Sequence, residues 1–305
     1  MTERRFDGRV AVITGGGRGL GRAYAELLAS RGAKVLVNDI GAALAGGGSD
    51  STPAEEVVAA IKVAGGEAVA NFDTVSTPEG GKAIVEAALD AFGKIDILIN
   101  NAGNTLHGDL AEISYEDYRA VIDVHLLGAF HVTRPAFPLM REAGYGRVVF
   151  TGSIGGLYST QGVVPYAVAK SSMIGLSNIV AIEGADRDIK SNIILPGAVT
   201  RMSEGMDVSQ FPAMGPDLVA PVVGWLVHES CSVSGEMYVS VAGRIARAFI
   251  TETEGIYKPS WTIDEVGENI DAIRDESRRW TFHPVEGAFG EHLAKSFAMA
   301  RGELG

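Results

Sequence analysis

The stretch that most restricts the fold is the glycine cluster Thr14-Gly15-Gly16-Gly17-Arg18-Gly19-Leu20-Gly21. It follows a β-branched apolar run, Arg9–Thr14, and precedes a helix-like segment from Arg22 to Ala29. Glycines permit the tight strand-to-helix turn and let backbone amides approach a pyrophosphate at the helix start. A glycine cluster alone is often only a flexible turn. Here a strand precedes it, a helix follows, and an acid, Asp39, comes after the next strand, so the context is that of a dinucleotide site.

The same alternation continues to about Val241. Strand candidates are Arg9–Thr14, Lys34–Asn38, Glu67–Phe72, Ile95–Asn100, Arg147–Thr151, Ser191–Leu195 and Met237–Val241. They are apolar almost throughout, as expected of parallel strands covered on both faces. Helix starts are visible at Thr52-Pro53-Ala54-Glu55, with Thr52 as N-cap of a capping box, at Thr77-Pro78 and at Ser114-Tyr115-Glu116-Asp117. The pattern predicts an α/β protein with a doubly wound parallel sheet, a single domain over residues 1–243. Two regions break the rhythm. Residues 41–51, with Gly46-Gly47-Gly48, read as a mobile surface loop. Residues 244–305 read as a partly helical extension without a further clear strand, packing on the domain or on a neighbouring subunit. Within it, Thr262-Ile263-Asp264-Glu265 predicts a capping box opening a charged helix to about Arg279.

Bulk properties narrow the function classes. The 305 residues are 46% hydrophobic, enough to bury a full core, and the net charge of −12 argues against nucleic acid and anionic membranes as partners. Cys231 is the only cysteine, which points to a reducing compartment. No apolar run reaches the ~18–20 residues a membrane helix needs, and MTERRFDGRV lacks the apolar stretch of a signal peptide. A cytoplasmic protein is expected. No metal is expected, because His107, His131, His228, His283 and His292 show no ligand spacing. Asp96 and Glu183 read as solvated or capping carboxylates.

Two residues disagree about the nucleotide. Asp39 favours NAD, since a carboxylate repels a 2′-phosphate, whereas Arg18 could pair with that phosphate. The carboxylate should lie closer to the 2′ position, so NAD is the expected cofactor and NADP the less favoured one.

Far from the glycine cluster lie Ser153, Tyr166 and Lys170. On a helix, Tyr166 and Lys170 stand one turn apart on the same face. An ammonium beside a phenol favours the phenolate, which brings a group that ordinarily titrates near pH ~10 toward neutrality. A serine hydroxyl arriving from a strand end could then orient the oxygen being oxidised or reduced. Alone, Tyr-x-x-x-Lys is a weak signal, and two residues on a solvated helix face is the bland alternative. The sequence Gly152-Ser153-Ile154-Gly155 misses the Gly-x-Ser-x-Gly hydrolase elbow by one position.

Taken together, Thr14-Gly-x-x-x-Gly19-x-Gly21, Asn100-Asn101-Ala102-Gly103, Ser153, Tyr166-x-x-x-Lys170 and Pro196-Gly197 resemble the short-chain dehydrogenases/reductases, over residues 8 to 241. The resemblance implies a Rossmann fold and an oxidoreductase. It makes Tyr166 the general acid/base, Ser153 the group orienting the substrate oxygen, and Lys170 the residue that lowers the phenol's pKa and holds the nicotinamide ribose. It also implies cofactor contacts at Gly15, Arg18, Gly19, Leu20 and Asp39. Asp73 would meet the adenine, Asn101, Ala102 and Gly103 would line the adenosine side, and Pro196, Gly197 and Val199 would flank the nicotinamide.

Further runs, including Val37-Asn38-Asp39-Ile40-Gly41, Asn71-Phe72-Asp73, Thr200-Arg201-Met202 before Ser203, and Trp225 to Cys231, are similar to the (3R)-3-hydroxyacyl-CoA dehydrogenase part of peroxisomal multifunctional enzyme type two. That likeness implies NAD-dependent interconversion of 3-hydroxyacyl-CoA and 3-ketoacyl-CoA, with an acyl-CoA thioester as partner and a homodimer or homotetramer joined through Tyr115–Arg134 and Val163–Gly184. Arg22, Arg201 and Arg244 are candidates for the CoA phosphates. A hydroxysteroid or other secondary-alcohol dehydrogenase is the second reading, and a catalytically inactive cofactor-binding sensor the third. Two positions depart from the pattern: His125 stands where many family members carry a relay asparagine, and Arg18 where this branch carries a small residue.

Overall fold

The computed structural model describes residues 3–43, 45, 47–200, 207 and 209–303. Gly46 of the glycine-rich loop and Arg201, Met202 and Ser203 lie outside the described residues. By its internal packing the chain divides into two units, Met1–Arg247 and Ala248–Gly305.

The first unit runs β1 (Val10–Thr14), α1 (Gly19–Ser30), β2 (Lys34–Asn38), α2 (Thr52–Val63), β3 (Glu67–Asn71), α3 (Pro78–Phe92), β4 (Ile97–Asn100), α4 (Tyr115–Ile122), α5 (Gly128–Ala143), β5 (Gly146–Thr151), α6 (Ile154–Leu157), α7 (Val164–Gly184), β6 (Ile189–Gly197), α8 (Ala220–Val227), β7 (Met237–Val241) and β8 (Arg244–Ala248). The sheet order is β3-β2-β1-β4-β5-β6-β7-β8, and every pairing from β3 to β7 is parallel. The predicted doubly wound sheet is therefore present. Strands β1, β4 and β5 are buried along their whole length, which explains their unbroken apolar sequence. Ile13, Val35 and Ile99 pack with Tyr24 and Leu28 of α1, Val57 and Ile61 of α2 and Leu226 of α8. Each such side chain contributes roughly 1.5–3 kcal/mol on leaving water.

Several expected details came out differently. A strand does follow Gly243: β8 turns back on β7 through Ala242 and Gly243, whose φ values are 49° and 79°. Two residues can join only antiparallel neighbours, and both φ values suit a mirror-image turn. The alternating, charged RIARA run carries too little apolar weight to announce an edge strand. Thr52 is not an N-cap; helix α2 already includes it, and its amide is held by Asp50 Oδ1 at 3.0 Å. Thr77 and Ser114 do cap their helices, accepting from Gly80 and Asp117 backbone amides. Asp96 is buried and ion-paired to Arg9 at 3.1 Å and Lys94 at 2.8 Å rather than solvated.

Between α4 and α5 the helix widens to π geometry over Asp123–Leu127, with His125 buried at its centre. Wide turns of this kind gather at functional sites.

The second unit holds β9 (Glu252–Thr253) paired antiparallel with β10 (Arg279–Trp280), and α9 (Ile263–Glu268), α10 (Ile270–Ile273) and α11 (Ala288–Ala300). The Thr262–Glu265 capping box is formed. The helix does not continue to Arg279, however: it ends at Ile273, broken at Asn269, whose side chain bonds back to Glu265 O at 2.7 Å. Trp280, Phe282 and His292 form an aromatic cluster, with Lys295 4.9 Å from the Phe282 ring centre. Among the described residues no helix is long and apolar enough to cross a membrane.

Candidate active site

Strand order reverses at β1, between β2 and β4, and chain excursions in opposite directions open a crevice at the strand C-termini. The glycine loop occupies that edge. Gly21 is required by close approach, since a Cβ there would lie 2.0 Å from the Gly15 carbonyl oxygen. The loop is stitched to the end of β4 by Thr14, whose Oγ1 accepts the Asn101 and Ala102 amides, each at 3.1 Å. Asn101 Nδ2 returns the link by donating to Thr14 O and Gly15 O at 3.2 and 3.0 Å. Asn101, Ala102 and Gly15 are thus brought together, with the Asn101 amide spent on the loop itself. Leu20 is half-buried against the core. Beside Gly19 lies Thr200, so the chain leaving β6 through Pro196, Gly197 and Val199 crosses to the glycine loop.

At the β2 end, Asp39 is oriented by two backbone amides, Gly17 N to Oδ2 at 2.9 Å and Gly41 N to Oδ1 at 2.7 Å. Each carboxylate oxygen retains accepting capacity for a hydroxyl. Arg18 donates to Ala42 O at 3.3 Å and pairs with Asp50 at 3.9 Å. Asp73 is fixed beyond β3 by Asn71 Nδ2 at 2.7 Å, with Asn38 bridging both. A glycine loop leading into a helix start and bounded by carboxylates fits a dinucleotide, with the Gly16 and Gly17 amides engaged by Asn38 O and Asp39.

Ser153, at the end of β5, caps the short α6 by accepting the Gly155 amide at 3.0 Å, and its hydroxyl is hydrogen-bonded with the Tyr166 phenol. Tyr166 and Lys170 rise from one face of α7, and the Lys170 Nζ lies 5.7 Å from the Tyr166 ring centre. The three residues are brought together as the spacing suggested. Their charge states are not as expected. Burial raises the Tyr166 hydroxyl above its ordinary value, against the Ser153 hydrogen bond. Lys170 donates to Thr151 O at 2.6 Å, and burial alone pushes its ammonium down to about 7. Where desolvation outweighs attraction, neighbouring acid and base both favour neutral forms.

His125 stands against Tyr166. Its Nε2 contacts both Asn104 N at 3.1 Å and Asn104 O at 2.8 Å, so either tautomer has a backbone partner. Burial first, then Lys170, holds it down to about 3, so its ring is neutral. Glycine 103 lies against this ring. A narrow internal cavity is lined by Asn100, His125, Thr151 and Lys170. Asn100 Oδ1, His125 Nδ1 and Thr151 Oγ1 have no hydrogen-bond partner there among the described residues. Thr14, Asn104 and Thr151 escaped the sequence reading as site residues. Their one signal is a polar side chain at the inner end of a buried strand or just beyond it.

The family model described as short chain dehydrogenase matches residues 9–209. Peroxisomal multifunctional enzyme type 2 of Drosophila melanogaster is 46% identical over 281 residues, covering 90% of this chain and 46% of that protein. The structure of the full-length Drosophila enzyme superimposes with a TM-score of 0.78 at 36% identity, over 96% of this chain and 49% of that one. A 3-oxoacyl-[acyl-carrier-protein] reductase of Synechocystis is 37% identical over 240 residues, covering 75% of this chain and 94% of that protein. The chain spans 46% of the Drosophila multifunctional enzyme and 33% of its mouse counterpart.

Proposed function

The chain belongs to the short-chain dehydrogenase family, and from that premise we propose that it interconverts 3-hydroxyacyl-CoA and 3-ketoacyl-CoA with NAD. That it is an oxidoreductase using an NAD(P) nucleotide follows from the family; the thioester and the choice of NAD are our reading. The observation that carries it is the convergence of Ser153, Tyr166 and Lys170 at the sheet edge that also bears the glycine cradle. The likeness to hydroxyacyl-CoA dehydrogenases and the 3-oxoacyl thioester named for the Synechocystis relative support the substrate class. Asp39 beside the glycine loop supports NAD.

When bound, the nicotinamide supplies hydride exchange at the carbinol carbon. Gly15, Gly19, Leu20 and Asp39 would hold its adenosine and pyrophosphate side, with Asp73, Asn101, Ala102 and Gly103; Pro196, Gly197 and Val199 would flank the ring. Tyr166, once it has given up its own proton, would take the substrate hydroxyl proton during oxidation and return it during reduction. Ser153 hydrogen-bonds the same oxygen and keeps it in line with the phenol. Lys170 lends positive charge to the phenolate as it forms, and a proton on that amine is shared readily near neutral pH because burial has already lowered its affinity.

We also propose a homodimer or homotetramer. Its support is the apolar exposure of Phe130 on α5 and of Val168 and Ile179 on α7. The helices of the second unit bury no residue, so segment 244–305 is proposed to cover the domain or a neighbouring subunit. The single cysteine, free and buried, agrees with a reducing compartment such as the cytoplasm.

The test follows absorbance at the reduced-nicotinamide band with (3R)- and (3S)-3-hydroxyacyl-CoA panels against a hydroxysteroid panel. Turnover on the thioesters alone is expected. Turnover only on steroids selects the second reading, and tight NADH binding with turnover on neither panel selects a sensor.

A further inference from the structure

Arg18 is the one cation inside the glycine loop, and the structure gives it an occupation. It occupies the N-cap position of α1 in extended conformation, with no capping bond from its side chain. Its guanidinium turns instead to the loop after β2, donating to Ala42 O at 3.3 Å and approaching Asp50 Oδ2 at 3.9 Å.

Asp50 is delivered to that place by backbone closure. Gly41, at φ 68°, lies so close to Asp50 that a Cβ would meet the Asp50 carbonyl oxygen at 1.7 Å. The Asp50 amide donates to Ile40 O at 2.9 Å, and Ala43 N donates to Gly47 O at 2.8 Å. One Asp50 oxygen, Oδ1, accepts the Thr52 amide at the start of α2, which leaves Oδ2 for Arg18. The same Gly41 donates its amide to Asp39 Oδ1, so the two carboxylates share one pinned loop.

We infer that Asp50 is a specificity-positioning residue: by holding the Arg18 guanidinium on the loop after β2, it withholds the glycine loop's cation from a 2′-phosphate. This deepens, and rests on, the NAD reading of the same cradle. Two carboxylates then act in different ways. Asp39 repels the phosphate directly, while Asp50 neutralises the group that would otherwise attract it. A guanidinium is a bidentate phosphate partner once its charge is released. An exposed ion pair contributes up to ~1 kcal/mol, or about fivefold in affinity, and removing its negative charge lessens phosphate repulsion as well.

The test is a fluorescence titration of NADH and NADPH without any alcohol substrate. Asp50→Asn keeps an oxygen for the Thr52 amide and replaces the oxygen facing Arg18 with an uncharged NH2 group. Relative to the unaltered chain, it is expected to tighten NADPH by about fivefold to tenfold while NADH changes less than about twofold. In an Arg18→Ala background the same Asp50→Asn change should bring a clearly smaller gain, that of lessened repulsion alone. An unchanged NADPH/NADH ratio in Asp50→Asn overturns the inference. So does an equal gain in the Arg18→Ala background, which would make Asp50 a direct repeller. Failure of the unaltered chain to bind either nucleotide defeats the dinucleotide reading itself, and the inference with it.

Discussion

The imidazole of His125 stands edge-on to the ring of Tyr166, with centroids 5.6 Å apart and planes at 83°. Because Nε2 is engaged by the Asn104 backbone and the ring stays neutral, His125 supports the phenol by packing instead of by charge. Such edge-to-face pairs contribute about 0.5–1.5 kcal/mol beyond their buried area.

Tyr166→Phe preserves that ring contact and removes only the hydroxyl. Turnover should fall by roughly 10²–10⁴-fold while NADH affinity holds within about twofold. Activity within tenfold of the unaltered enzyme would refute the acid/base role; stopped-flow and NADH titration on one preparation give both numbers.

Burial lowers Lys170 from 10.5 to about 7. Between those values the unfolded chain carries a proton that the folded chain lacks. Stability should therefore rise with pH across that window, by up to ~1.4 kcal/mol per unit from this group, and lose this gain as pH returns toward 7. Lys170→Met should flatten the rise. Urea midpoints at about pH 7, 8.5 and 10 measure it, and equal slopes in both chains would show that the lysine is not desolvated.

Thr14→Val keeps the shape of a buried strand end but strips the acceptor shared by the Asn101 and Ala102 amides. A fully buried donor left unpaired costs about 1–3 kcal/mol, and these two amides are partly buried, so each falls at the lower end of that range. Denaturant midpoints should register a loss of at least ~2 kcal/mol, and NADH binding should weaken with it. A neutral result would mean that the amides find other acceptors.

Phe130→Glu replaces an exposed apolar side chain of α5 with a charge. With Phe130 buried between subunits, the variant should elute and scatter as a smaller species, with association raising its melting temperature only at higher protein concentrations than before. An unchanged molar mass by light scattering argues for another interface.

The parallel sheet was legible because its strands are buried on both sides, which writes their length directly into apolar runs such as Lys34–Asn38 and Met237–Val241. The edge hairpin to β8 was not, since RIARA is half solvated and its turn uses alanine where asparagine would have signalled it. Within the site, Ser153, Tyr166 and Lys170 could be grouped from spacing. The opposite directions of their titration could not, because desolvation depends on what covers α7 and no local pattern records it. Likewise the Arg18–Asp50 pair joins residues separated by a helix, a strand and a loop. Asp96 misled for a similar reason: its two cations come from β1's threshold and from Lys94, one distant and one near.

The π-wide turn at Asp123–Leu127 carries a consequence for how this region tolerates change. Such a turn accommodates one residue more than regular α geometry, and each α residue advances the helix by ~100°. Deleting a single amino acid there would let the helix run straight through in regular α geometry, with α4 and α5 keeping their relative facing, because the wide turn already absorbs the extra residue. Ala120, whose carbonyl receives the Asn104 side chain, would stay in place, while His125 at the centre of the wide turn would be re-aimed. The residue count of this stretch therefore bears on the imidazole beside Tyr166 more than on the helices that flank it.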